Sequence, residues 1–250
     1  MHLADVLALP DPYTARPYRG VDDLPVMLEC LIEHRLHDGD DEMPTLEQMT
    51  NTYSHLTDCD VEVDIAMFHT VDGEPVGYCR ASHEDLANGT RDCVVFAPIR
   101  PVHLTEPLYR AVAAGMERHM AARAAEAPPA RYRAYAEHPG PGLAPTGTAA
   151  WLEALGYAPT EWGASLLRPH LDDIPDRPLP DGVEVRPVTP DQVRHIWEVH
   201  HEAFRDDWDF HEMTDDEIDE MIADPVQDPS LWQVAWAGDT VVGQVKPFIN

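Results

Sequence analysis

The chain has 250 residues, 44% of them hydrophobic, and sets 46 acids against 17 bases for a formal net charge of −29 at pH 7. That apolar content supports a core and excludes wholesale disorder, and no apolar run approaches the ~18 residues of a membrane span. So negative a chain disfavours nucleic acid and anionic membranes as partners.

Residues 171–250 hold 20 acids and 5 bases, about half the net charge in the last third of the length. This reads mainly as a solubilising coat, with a field that attracts cations as the competing reading. Met1 to Asp5 lacks the basic and long apolar regions of a secretory signal. Cys30, Cys59, Cys79 and Cys93 lie far apart with no CxxC pair. They read as buried free thiols of a cytoplasmic protein rather than as disulfides or a zinc framework.

In chain order, Tyr13 to Pro17 reads as a strand, and Asp22 to His37 as a helix with Leu24, Met27, Leu28, Leu31 and Ile32 inward. Thr45 and Gln48 have capping-box spacing for a second helix. Val61 to Thr70 and Pro75 to Ala81 form a hairpin around Gly73-Glu74. Cys93 to Ala97 is a short apolar strand, followed by a helix with Thr105 as N-cap and Leu108, Val112, Gly115, Met116 and His119 on one face. Arg131 to Ala136 is a strand, Pro139 to Pro145 a loop, Ala149 to Tyr157 a helix with a Gly156 C-cap, and Glu161 to Leu167 a closing strand.

A Pro-rich linker covers 170–182, and then the opening pattern returns. Val183 to Pro187 echoes Tyr13 to Pro17. Thr189, Pro190 and Gln192 start a helix that buries Val193, Ile196, Trp197, His200 and Phe204, and Thr214 with Glu217 starts another. Leu231 to Ala237 and Thr240 to Phe248 make a hairpin around Gly238-Asp239. Arg16 corresponds to Arg186 and Gly77 to Gly243, which implies an internal duplication.

The strand–helix turn from Ile99 to Pro107 has the layout of a phosphate cradle but contains no glycine. Pro101 and Pro107 each remove a donor. A phosphate about 4 Å from Glu106 would be repelled by roughly 4 kcal/mol at a dielectric of ~20. The helix dipole returns only about 0.3–1 kcal/mol.

The element order β-α-α-β-β-β-α-β-α-β, together with Trp151-Leu152-Glu153-Ala154-Leu155-Gly156-Tyr157 and the second start Val185-Arg186-Pro187-Val188-Thr189-Pro190-Asp191, resembles the GNAT superfamily of acyl-CoA-dependent N-acyltransferases. The pairing of copies is similar to its tandem, mycothiol synthase-like branch. The resemblance implies an α/β fold built on a mixed (α+β) sheet: residues 1–169 form one complete GNAT-like domain with a degenerate cofactor loop, 170–182 a linker, and 183–250 the first half of a second copy. It implies acetyl-CoA as cofactor and a small-molecule amine as acceptor. The pantetheine strand falls on Val94, Val95, Phe96 and Ala97. Arg100 matches the first position of the family's Q/R-x-x-G-x-G/A loop, whose glycines are missing here. The family's tyrosine acid falls on Leu152, and Asp92 is the candidate base. A complete site is therefore not expected, and acetyl-CoA should bind this chain weakly or not at all.

Asp206, Asp207, Trp208 and Phe210 mix acids with aromatics in the segment that borders the family's acceptor cleft, a combination suited to amines. Asp215 to Glu220 read as solvated first turns of a helix. His34, His37 and Asp38, and His200, His201 and His211, are coincidences expected among 14 histidines, so no metal site is assigned. Two function classes stay open: a tandem N-acetyltransferase, incomplete or inactive as the chain stands, and a non-catalytic module that binds a ligand or partner. Two chains could also pair through the exposed edge of the final hairpin.

Overall fold

The computed structural model describes residues 1–40, 43–126, 131–136, 147–164, 166–170, 172–207 and 210–249. Its first sheet has the order β1 (Tyr13–Pro17), β2 (Ile65–Thr70), β3 (Pro75–Asp85), β4 (Thr90–Phe96) and β5 (Arg131–Tyr135). The first four strands run antiparallel, and β5 lies parallel to β4. Helices α1 (Leu3–Val6), α2 (Leu24–Asp38), α3 (Leu46–His55), α4 (Glu106–Ala125) and α5 (Thr148–Ala154) complete this unit.

Ile65, Ala66, Met67 and Phe68 of β2 are all buried because both faces of the sheet are covered. Ala66 and Phe68 join α4 residues Leu108, Val112 and Met116 in one cluster, while Ile65 and Met67 join α2 residues Leu24, Met27, Cys30 and Leu31 in the other. The strand expected from Val61 therefore starts four residues late. Residues 60–64 form a turn instead, with the Asp64 amide donating to the Asp60 carbonyl at 2.7 Å. The buried stripe of α2 uses Cys30 rather than Leu28 and Ile32, which are only half-buried.

β3 and β4 extend beyond the expected bounds and meet at a turn around Asn88-Gly89, where Gly89 takes φ +82° and the Leu86 amide donates to the Thr90 carbonyl at 2.8 Å. The closing strand expected over Glu161 to Leu167 does not form among the described residues. Gly163 leaves a gap in its side-chain pattern, and Trp162, Leu166 and Leu167 are exposed.

The second sheet has the order β6 (Val183–Arg186), β7 (Gln233–Ala237), β8 (Thr240–Val245), all antiparallel. It packs with α6 (Val193–Ala203) and α7 (Asp215–Ala223) through Val193, Ile196, Trp197, Ile218, Trp232, Val234 and Trp236. Phe204, expected inside, is exposed because α6 ends at Ala203, and His200 is half-buried.

The registers of the two sheets correspond. Ala15 faces Phe68, which faces Gly77, and the β2–β3 register slips after Phe68. Val185 faces Ala235, which faces Gly243, and the β7–β8 register slips after Ala235. The units touch where Asn51 Nδ2 of α3 donates to the Glu220 carbonyl of α7 at 2.9 Å, and where the Ala87 amide donates to the Phe210 carbonyl at 2.8 Å. No helix among the described residues is long and apolar enough to cross a membrane.

Candidate functional site

β4 pairs with β5 from Thr90 to Val94, and Val95 and Phe96 run past the last pair. The chain then stays on β3. The Tyr78 amide donates to the Pro98 carbonyl at 3.1 Å, and the Arg100 amide to the Val76 carbonyl at 2.8 Å. Gly77 permits this approach, since a Cβ there would lie closer than 3.0 Å to the Pro98 oxygen. Val94 to Ala97 and Arg100 thus share one edge leading into α4.

At that turn Arg100 is already engaged. Its Nη2 donates to Glu29 Oε2 at 3.0 Å and lies 3.5 Å from Glu33 Oε1, both on α2. A short 3-10 turn, Pro101–His103, leads to Thr105, whose side chain accepts no capping hydrogen bond. Glu106 sits in the first turn beside Arg110 at 3.1 Å, and Pro107 supplies no amide. The start of α4 therefore offers the amides of Glu106 and Leu108 together with a carboxylate. His34, one of the residues considered for metal, has both nitrogens occupied: Nδ1 by the Ile99 carbonyl at 3.1 Å and Nε2 by Asp38 at 3.4 Å.

Asp92 lies at the other end of β4 and is buried. Arg133 faces it in register, donates from Nε to Oδ1 at 2.8 Å, and closes a second hydrogen bond from Nη2 to Oδ2. A carboxylate with both oxygens engaged by one guanidinium is poorly placed to accept an amine proton. Leu152 is buried.

Asp206 and Asp207 are exposed, whereas Phe210 is buried. Its ring stacks on His201 at 4.5 Å and lies 5.2 Å from the Arg205 guanidinium, and its carbonyl holds the Ala87 amide. The structure thus turns Phe210 toward the β3–β4 turn of the first unit, while the two aspartates stay outside. Trp208 lies outside the described residues.

A cleft of about 290 Å³ opens at the far end of α4, lined by Asp64, His83, Arg91, Cys93, His119 and Arg123 among others. Asp64 Oδ1 accepts from His119 Nε2 at 2.6 Å, and Oδ2 takes the Asp60 amide at 2.8 Å and Arg123 at 3.3 Å. Burial opposes ionisation of Asp64, but these donors outweigh it and hold its carboxyl below the ordinary range. Sequence reasoning placed His119 on the buried face of its helix but carried no signal for Asp64, which is 55 residues away.

No family model matches the chain, and no curated protein matches it. Among solved structures, a GCN5-related N-acetyltransferase from Sphaerobacter thermophilus aligns with 97% of this chain and 74% of its own, with a TM-score of 0.60 at 20% identity. The structure of yncA from Salmonella typhimurium with its cofactor acetyl-CoA aligns with 60% of this chain and 82% of its own, with a TM-score of 0.40 at 14% identity. Glucosamine-6-phosphate N-acetyltransferase from Arabidopsis thaliana aligns with 62% of this chain and 97% of its own, with a TM-score of 0.40 at 12% identity. The chain has the fold of the GCN5-related N-acetyltransferases.

Proposed function

We propose that this chain is an acyl-CoA-dependent N-acetyltransferase of tandem type, in which residues 1–169 are a unit that has lost its grip on the coenzyme and 183–250 belong to a second unit with the same opening layout. The matched registers and the matched slip beside Gly77 and Gly243 support the duplication. The start of α4 carries the reading of the first unit. Its edge strand and helix stand where coenzyme would lie, yet Glu106, Pro107 and the engaged Arg100 leave little that favours a diphosphate. With Asp92 held by Arg133 and Leu152 in place of a proton donor, this unit serves as scaffold rather than as the site of transfer to a small amine. Asp206 and Asp207, exposed on the second unit, would attract that amine from its border. The exposed edge of β8, with Val242 and Val245 outward, is where a second chain would add.

Calorimetric titration of acetyl-CoA into the chain tests this, with weak or absent binding expected. Submicromolar affinity would show that the α4 start is a competent cradle. The second reading, a ligand-binding module without chemistry, is favoured by the cleft beside Asp64 and His119, which lies at the opposite end of α4 from the coenzyme turn. Acetyl transfer by the chain to any of a panel of small amines would exclude this second reading.

A further inference from the structure

Between α4 and the sheet, one layer changes character at the same end of four elements. On β2 the row Phe68, Ala66 continues to Asp64, and on β3 the row Cys79, Ala81 continues to His83. On β4 the row Val95, Cys93 continues to Arg91, and on α4 the buried face of Val112 and Met116 continues to His119 and Arg123. Apolar packing closes the layer over its first part, and where the polar residues begin it stays open as the cleft of about 290 Å³. That volume is close to the ~300 Å³ at which small-molecule sites begin. A core that simply ran out into solvent would leave its last polar residues exposed. Here Asp64 and His119 are only 5% and 2% exposed, yet both line the cleft.

The wall has hydrogen-bonding capacity that the protein does not use. Asp64, held below the ordinary carboxylate range, is ionised at neutral pH and accepts the hydrogen on His119 Nε2. In the neutral imidazole, Nδ1 then keeps its lone pair. That nitrogen has no partner among the described residues and is not one of the sealed atoms, so it opens on the cleft. Arg123 spends only Nη2, on Asp64 at 3.3 Å, and Arg91 spends Nε and Nη2 on Asp85. Nε and Nη1 of Arg123 and Nη1 of Arg91 have no partner among the described residues, and neither does the His83 ring. Both oxygens of Asp64 are taken, and Glu126, the other acid of the wall, is exposed at the rim, where water and salt screen it. In a chain of 46 acids and 17 bases, two arginines with unspent donors on one cleft wall suit an anion.

We infer that this cleft binds a small molecule whose carboxylate or phosphate meets Arg91 and Arg123 and whose neighbouring hydroxyl or amine donates to His119 Nδ1. The site rests on the cleft of the module reading above and gives it a ligand class. The two can fail separately, since acetyl transfer by the chain would exclude that reading and leave the site standing. Sodium glycolate and glycerol 3-phosphate, titrated at constant ionic strength into the full chain, are the probes, with glycerol as the uncharged control. The readouts are calorimetry and the imidazole resonances of His83 and His119, assigned by their loss in His83→Gln and His119→Gln. Saturable binding of at least one anion, moving both imidazole signals, is expected, with no response to glycerol. Saturation by glycolate identifies a carboxylate ligand and saturation by glycerol 3-phosphate a phosphorylated one. Arg91→Gln and Arg123→Gln, changes to partly exposed side chains, should each weaken the binding about tenfold, with circular dichroism confirming the fold. Arg110→Gln, at the other end of α4, should leave it unchanged. No saturation by either anion, or saturation that Arg91→Gln and Arg123→Gln leave intact, would overturn the site.

Discussion

Asp92 and Arg133, 41 residues apart in sequence, face each other across the parallel β4–β5 pair and meet in a two-pronged ion pair. The β4–β5 pair is thus tied by a charge contact at the end away from the turn that leads into α4. Arg133→Met strands a buried carboxylate and should lower stability by about 2–3 kcal/mol, the partial exposure of Arg133 keeping the loss below that of a fully enclosed pair. Adding Asp92→Asn should recover part of it. Urea unfolding of the two variants measures this, and a single variant as stable as the parent would mean that the pair contributes nothing.

Asp64 gives the chain an acid-sensitive tie between the turn before β2 and the last turns of α4. Its carboxyl is held below the ordinary value near 3.8 in the folded state by His119, the Asp60 amide and Arg123 acting against burial. The stabilisation is therefore fully present above the unfolded pKa and fades as pH falls through the lower folded one. Asp64→Asn should be less stable than the parent at neutral pH, and the difference should shrink below about pH 4. Unfolding curves at several pH values check it, and a gap that stays constant into acid would remove Asp64 from the acid response.

What could be read from sequence alone was local. Thr45 with Gln48 and Thr214 with Glu217 close their reciprocal hydrogen bonds because each partner is three residues from the other, a spacing that a helix start turns into contact. Tyr13–Pro17 and Val183–Arg186 form strands where periodicity within short stretches placed them, for the same reason. No pattern near Asp92 announces Arg133, its partner on the next strand. The burial of Phe210 carried no local signal, because the docking of its carbonyl onto Ala87 joins segments more than a hundred residues apart.

Lys246, the only lysine, should titrate far from its ordinary value. Burial against Trp197 lowers its pKa from 10.5 to about 7. Between those values the unfolded chain binds a proton that the folded chain does not, so this group's contribution to stability rises with pH across that window. Lys246→Met should be more stable than the parent at pH 6, and the advantage should disappear near pH 10.5. With 15N-labelled lysine, the single side-chain signal reports the titration directly, and a midpoint near 10.5 would show that the ammonium is freely solvated.

Gly77 and Gly243 occupy matching positions beside matching register slips but stand in different surroundings. At Gly77 an added methyl would press closer than 3.0 Å on the Pro98 oxygen, which is backbone and is itself held by the Tyr78 amide. At Gly243 the nearest atom is the Ala235 side chain at 3.8 Å, an ordinary contact. Gly77→Ala must therefore push the Pro98–Arg100 segment off β3, at a loss of about 1–3 kcal/mol. Gly243→Ala should leave stability unchanged or raise it by about 0.5–1 kcal/mol, because alanine loses less backbone freedom on folding. Amide exchange at Tyr78 and Arg100 separates displacement of that segment from general weakening: both amides should lose protection in Gly77→Ala and keep it in Gly243→Ala. Equal melting temperatures for the two variants would mean that the close approach of β3 to Pro98 is not a constraint on the fold.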